Sequence, residues 1–181
     1  MKSVLVPLAN GSEELEAVTV LNILRRAGIE AVSASLDGHP IRGSRGTVLV
    51  NDTGLEEALK RDFDMVVLPG GQPGTNNLKA DPRIIHLVQR MAANDRYVCA
   101  ICAAPSILAT AGLLNGKHAT CFPGALDAFP KVLHQSQAVV EDGKIITSRG
   151  PGTAMDFALL LVERLAGKAK RDEVEYGLVR A

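Results

Sequence analysis

Short apolar runs and longer stretches of helical period alternate along the whole chain. Val4 to Leu8 is a continuous apolar run, the pattern of a strand buried on both faces. Asn10-Gly11-Ser12-Glu13 follows, with Asn10 and Glu13 at capping-box spacing, and a helical period continues to Ala27. Gly28 stands where a helix end wants a left-handed residue, and Ile29 to Leu36 is a second strand. Asp37-Gly38 marks a tight turn, and Thr47 to Val50 reads as a third strand. The alternation then repeats, with a short helix over Leu55 to Lys60 and a strand over Met65 to Leu68. Pro82 opens a helix that runs to about Asn94, and Tyr97 to Ile101 is a strand. Ala104 to Leu114 reads as helix and His118 to Phe122 as strand. Val139-Val140 and Lys144 to Thr147 flank Glu141-Asp142-Gly143, a hairpin signal. A long helix over Thr153 to Leu165 follows, and Asp172 to Leu178 is a short last one.

Strands alternating with helices predict an α/β fold: a doubly wound, mostly parallel sheet with helices on both faces. No linker, repeat or low-complexity run divides the 181 residues, so they read as one domain. Composition narrows the partners rather than the fold. Lysine plus arginine equals aspartate plus glutamate at 20 each, leaving no net field to draw nucleic acid or an anionic membrane. Aromatics make up 3%, with no tryptophan, which argues against base-stacking platforms. No segment reaches the roughly 18 consecutive apolar residues of a membrane span, and the N-terminus lacks the cleavage site of a signal peptide. The three cysteines are odd in number and show no Cys-x-x-Cys spacing. That pattern suits neither a disulfide framework nor a metal site, and points to a reducing cytosol.

In doubly wound sheets the ligand site lies at the carboxyl ends of the strands. Two loops at such ends carry candidate chemistry. In Pro69-Gly70-Gly71-Gln72-Pro73-Gly74 the glycines let backbone amides approach a ligand closely. In Ala100-Ile101-Cys102-Ala103-Ala104-Pro105 a buried strand turns abruptly into a helix. Cys102 is thereby expected at a helix N-terminus, where unpaired amides and the dipole stabilise a thiolate, as in a nucleophile elbow. The competing reading is a buried structural cysteine; it suits Cys99, inside the strand, and leaves Cys121 open.

Glu16 is the second unusual residue. At 100° per residue it falls beside Val20, between Ile23 and Ala27, on the apolar stripe expected to pack on the sheet. A carboxyl group there costs free energy unless paired or protonated, and desolvation raises its pKa. A protonated Glu16 could donate a hydrogen bond to the Cys102 thiolate and shuttle a proton. For Glu13 and Glu14, attraction to the helix dipole is the better account. Leu15 and Val18 fall off the stripe, near Asn22 and Arg26, which suggests a protein contact such as a symmetric dimer.

Together these segments resemble the ThiJ/PfpI superfamily, in its parkinsonism-associated deglycase and peroxide-sensor branch. The markers are Gly11-Ser12-Glu13-Glu14-Leu15-Glu16, Val67-Leu68-Pro69-Gly70-Gly71, Ala100-Ile101-Cys102-Ala103-Ala104-Pro105 and Thr147-Ser148-Arg149-Gly150-Pro151-Gly152-Thr153, in order and correctly spaced. The resemblance implies a flavodoxin-like fold, usually homodimeric, working without a cofactor. It implies Cys102 as nucleophile and oxidation site, Glu16 as its protonated partner, and the amides of Gly71 and Ala103 as an oxyanion cradle. Gly70, Arg45, Arg26, Phe122 and Pro151 are the positions it places around a ligand or the dimer contact. The activities it implies are removal of glyoxal and methylglyoxal adducts from amines and thiols, conversion of those dicarbonyls to hydroxy acids, redox-regulated chaperoning and peroxide sensing.

One departure narrows the chemistry. Some members supply a histidine to the cysteine from the segment that here reads Thr120-Cys121-Phe122-Pro123, and Phe122 occupies that position. His118 lies about 13 Å upstream along an extended strand. His39, His86 and His134 fall in loop or helix contexts and are expected in solvent. Base catalysis then rests on Glu16 or water. The two readings left are an enzyme acting on dicarbonyls or glycated protein, and a redox sensor or chaperone working through oxidation of Cys102. A glutamine amidotransferase would need a histidine late in the chain, and none follows His134. A dinucleotide enzyme would need Gly-x-Gly-x-x-Gly after the first strand, where Ala9-Asn10-Gly11 offers one glycine.

Overall fold

The computed structural model describes residues 1–180. Eleven strands are β1 (Ser3–Leu8), β2 (Glu30–Ser35), β3 (Ile41–Arg42), β4 (Val48–Leu49), β5 (Thr53–Gly54), β6 (Met65–Leu68), β7 (Tyr97–Ile101), β8 (His118–Ala119), β9 (Leu133–His134), β10 (Val139–Asp142) and β11 (Ile145–Ser148). Among the described residues seven α-helices are α1 (Glu14–Arg26), α2 (Leu55–Ala58), α3 (Gly74–Ala80), α4 (Pro82–Ala93), α5 (Pro105–Thr110), α6 (Ala154–Ala166) and α7 (Lys168–Gly177). The central sheet has the order β10-β11-β7-β6-β1-β2-β5, and only its β10–β11 pair is antiparallel. This is the doubly wound α/β fold expected.

The continuous apolar strands β1, β6 and β7 sit at the centre because both faces are covered. Along β1, Leu5 faces the layer of α2, α3, α4 and α5, while Val4 and Val6 face α1, α6 and α7. β7 divides likewise: Val98 and Ala100 pack on the first layer, and Cys99 and Ile101 on the second. Gly28 takes φ +73° behind α1, the left-handed stop its position predicted. Among the described residues no helix is long and apolar enough to cross a membrane.

Several expectations need correction. The capping box of Asn10 and Glu13 does not form. The Asn10 side chain accepts the Arg42 N–H at 2.8 Å, the Glu13 carboxylate accepts the Ser44 hydroxyl at 2.6 Å, and α1 begins only at Glu14. Thr47 to Val50 is no strand of the main sheet: β4 pairs antiparallel with β3 in a separate ribbon, and β5 forms the sheet edge. His118 to Phe122 shortens to β8, paired with β9, because the next amides are drawn elsewhere; Thr120 N–H donates to Thr147 Oγ1 and Phe122 N–H to the Cys102 carbonyl. His134 therefore lies in a strand. α5 stops at Thr110, before Gly112 at φ +80°. α3 was unforeseen, its glycine and two asparagines being poor helix formers. The last helix starts earlier than Asp172, where spaced pairs such as Lys170–Glu173 and Arg171–Glu175 support it.

Candidate active site

Cys102 follows the last residue of β7 with φ +64°, a conformation costing on the order of 1–2 kcal/mol in a side-chain-bearing residue. Two bonds hold it there: Cys102 N–H donates to the Ser148 carbonyl at 2.9 Å, and its own carbonyl accepts the Phe122 N–H at 2.8 Å. The turn lifts the side chain above the sheet, where the residue is 8% exposed. Strain at one residue in a cleft between two loops is how reactive groups are commonly presented.

Glu16 lies on the sheet-facing side of α1 and is fully buried, as its place on the helical wheel predicted. Its Oε2 accepts the Gly70 N–H at 2.7 Å, while Oε1 is buried and makes no hydrogen bond of ordinary geometry. The group facing this carboxyl is the Cys102 thiol, which acts on its titration. Burial raises the Glu16 pKa from 4.5 to about 7; the Gly70 amide and the thiol oppose that rise, and the Glu13 charge adds to it. A carboxyl group is thus poised at neutral pH beside a thiol.

Gly70 sits between the two groups. A methyl group there would lie 2.6 Å from Cys102 Cβ and 3.0 Å from Glu16 Oε2, so only glycine lets them approach. Its carbonyl also accepts the Glu13 N–H at 2.9 Å, so the start of α1 grips this residue at both ends. Gly71 takes φ +85° packed on Glu13, where a side chain would strike backbone. The Gly71 and Ala103 amides favour the ionised form of the Cys102 sulfur.

The thiol itself departs from expectation. Its pKa is pushed up to about 12, first by burial and next by the Glu16 charge, against the pull of the Gly71 and Ala103 amides. α5 begins three residues later and is only six residues long, so the helix dipole supplies little. The Glu16 contribution exists only while that carboxyl is ionised. Of the two, Glu16 gives up its proton first, near neutrality, and the negative charge it then carries helps to keep the Cys102 thiol protonated.

The other expected positions divide. Phe122 is bonded through its backbone to Cys102, and its half-exposed ring rests on Gly150, next to the half-buried Pro151. The loop 43–47 folds over the start of α1. Against the cost of burial, the amides of Glu14, Arg45 and Thr47 hold the Glu14 carboxyl down at about 2. The Arg45 side chain is exposed, 4.0 Å from Glu13. Arg26 does not join the site: ten residues beyond Glu16 on the same helix, it lies roughly 15 Å along the axis and bonds Asn22. Leu15 and Val18 are half exposed, as the wheel predicted. Cys99 is fully buried in β7, and the buried Cys121 has His134 Nε2 at 3.8 Å. Ser44 escaped sequence reasoning, since it acts through a contact between distant segments, and so did the role of Ser148 as the acceptor of the Cys102 N–H. A cavity of about 600 Å³ opens at the ends of β1 and β2 beside Asn10, Asp37 and Arg83, without touching Cys102 or Glu16. Chemistry rather than volume marks the site.

Comparison with known proteins agrees with this geometry. The profile described as the DJ-1/PfpI family matches residues 2–164. Protein DJ-1beta of Drosophila melanogaster is 41% identical, across 99% of this chain and 98% of its own. The crystal structure of Drosophila melanogaster DJ-1beta superposes with a TM-score of 0.96 at 41% identity, covering 99% of this chain and 98% of that one. Toxoplasma gondii DJ-1, solved in a form described as oxidized, gives a TM-score of 0.96 at 36% identity with both chains fully covered. The glutathione-independent glyoxalase DJR-1.2 of Caenorhabditis elegans is 31% identical over 96% of this chain and 94% of its own. On fold, motif order and these likenesses alike, the chain belongs to the DJ-1/PfpI family.

Proposed function

We propose that the chain is a cysteine-dependent enzyme acting on small reactive dicarbonyls such as methylglyoxal, or on their early adducts on proteins. Cys102 is the nucleophile and Glu16 the proton carrier. The observation that carries this reading is the buried Glu16 carboxyl, fixed by Gly70 at 2.7 Å through one oxygen, free at the other, and raised to about 7 beside the thiol. A carboxyl group titrating at neutral pH can take and return a proton there. The glutathione-independent glyoxalase among the relatives supports the same substrate class.

In the addition step the Cys102 sulfur bonds the aldehyde carbon and Glu16 takes the thiol proton. The carbonyl oxygen becomes an oxyanion near the Gly71 and Ala103 amides, then takes the proton back from Glu16 to complete a hemithioacetal, which leaves Glu16 ionised. Glu16 next moves the proton on the aldehyde carbon to the neighbouring ketone carbon through an enediolate. A thioester of a 2-hydroxy acid results, and water cleaves it to lactate and free thiol. The aldehyde carbon is oxidised and the ketone carbon reduced, so no external electron carrier is consumed. For an early adduct, the Cys102 sulfur bonds the aldehyde carbon as its bond to the amine or thiol breaks; that group leaves with the proton Glu16 took from Cys102, and the hemithioacetal left on Cys102 follows the same path to the 2-hydroxy acid.

Purified protein is expected to form lactate from methylglyoxal without glutathione, and Cys102→Ser to reduce the rate by about a thousandfold or more. Undiminished lactate formation by that variant would refute the mechanism.

A second reading has its own support. Amides that favour the ionised sulfur suit sulfinate oxygens equally well, and one relative was solved oxidized. Mild peroxide should then add oxygen at Cys102 before Cys99 or Cys121, as read by peptide mass spectrometry; the reverse order would sink this reading.

A further inference from the structure

The surroundings of Cys102 differ sharply from one side to the other. Toward β6 and β1 stand Gly70 and the buried Glu16 carboxyl, and this side is closed: it has no room even for a methyl group at Gly70, 2.6 Å from Cys102 Cβ. Toward β11, the segments 120–122 and 148–151 both adjoin the elbow through the Phe122 and Ser148 bonds at 2.8 and 2.9 Å. There the Phe122 ring spans the two segments. Its Cδ2 lies 3.6 Å from the position of a methyl group on Gly150, an ordinary packing distance, and the residue is 50% exposed. Pro151 and Ala103, both half buried, extend this apolar rim. An aromatic face held half in water, on the residue whose N–H is bonded to the Cys102 carbonyl, is available to an apolar ligand group.

We infer that Phe122 is the specificity-determining residue of the site, receiving the substituent of an α-oxoaldehyde and favouring an apolar or aromatic one. The inference rests on the dicarbonyl reading. Carbonyl addition fixes the reacting carbon at the sulfur and its oxygen at the Gly71 and Ala103 amides. The Glu16 side is closed, so the substituent extends along the Phe122 side. A bare aldehyde such as glyoxal leaves the ring unused, whereas a phenyl group stacks on it.

The test compares kcat/KM for phenylglyoxal and methylglyoxal in the wild-type protein, Phe122→Ala and Phe122→Leu. Taking the ratio within each protein, and comparing it between proteins, cancels the intrinsic reactivity of the two aldehydes. Loss of one apolar contact of this size is expected to lower the phenylglyoxal-to-methylglyoxal ratio about tenfold in Phe122→Ala, and less in Phe122→Leu, which keeps apolar bulk. A ratio within about twofold of wild type in Phe122→Ala, or one that rises when the ring is removed, would overturn the inference. Turnover of neither aldehyde by the wild-type protein would overturn the dicarbonyl reading, and the inference with it.

Discussion

Glu16 occupies a position where helical packing calls for an apolar residue, and folding stability registers the cost. In an unfolded chain its carboxyl titrates at 4.5; in the fold it titrates at about 7, chiefly because burial disfavours the charge. The folded state therefore holds the proton more tightly. Below pH 4.5 both states are protonated and the full stability is present; it is lost as pH rises through about 7. The loss from this group is on the order of 3 kcal/mol. Urea unfolding of the wild-type protein and Glu16→Gln across this range isolates the effect. The difference in stability between the two should change by about that amount, and a constant difference would mean that Glu16 titrates normally.

The element that brings the two groups together is the loop after β6, gripped by the start of α1. Gly70→Ala should wedge Cys102 from Glu16, lowering kcat/KM about a hundredfold while costing roughly 1–3 kcal/mol of stability. Steady-state kinetics beside thermal melting would separate the two effects, and full activity would contradict the packing. At this scale the sequence was legible where the pattern was local. The helical wheel marked Glu16 for burial because a carboxyl group among Val20, Ile23 and Ala27 breaks a periodic stripe. The strand-to-helix break marked Cys102 as the residue at the turn. The 43–47 loop was not legible, since nothing near Ser44 signals a bond to Glu13 thirty-one residues away. Nor was the direction of the thiol pKa, because burial depends on what packs above the turn. The helix dipole proposed from sequence loses to that burial in so short a helix.

At the scale of the whole molecule, both faces of the sheet are covered, yet one outer surface remains apolar. Leu15 and Val18 on α1 are 50% and 46% exposed, and Val48 and Val50 at the β3–β4 ribbon 55% and 82%. A cavity of about 510 Å³ joins the two elements, lined by Val18, Leu21 and Val50 and rimmed by the polar Asn22, Arg26 and Asp52. A second copy meeting the same surface across a two-fold axis would cover these side chains. Sedimentation equilibrium is expected to give twice the mass of one chain, and Val50→Glu to return the monomer. A monomeric wild-type protein would contradict this assignment.

Proton transfer from Cys102 to Glu16 is tested most directly by the pH dependence of kcat/KM for methylglyoxal in the wild-type protein and Glu16→Gln. Ionised Glu16 is the form that takes the thiol proton, so the wild-type rate should climb through about pH 7 and then level. In Glu16→Gln that step should vanish, leaving activity that rises only at more alkaline pH as the buried thiol itself ionises. A step near pH 7 that survives in Glu16→Gln, or a flat wild-type profile, would contradict the account.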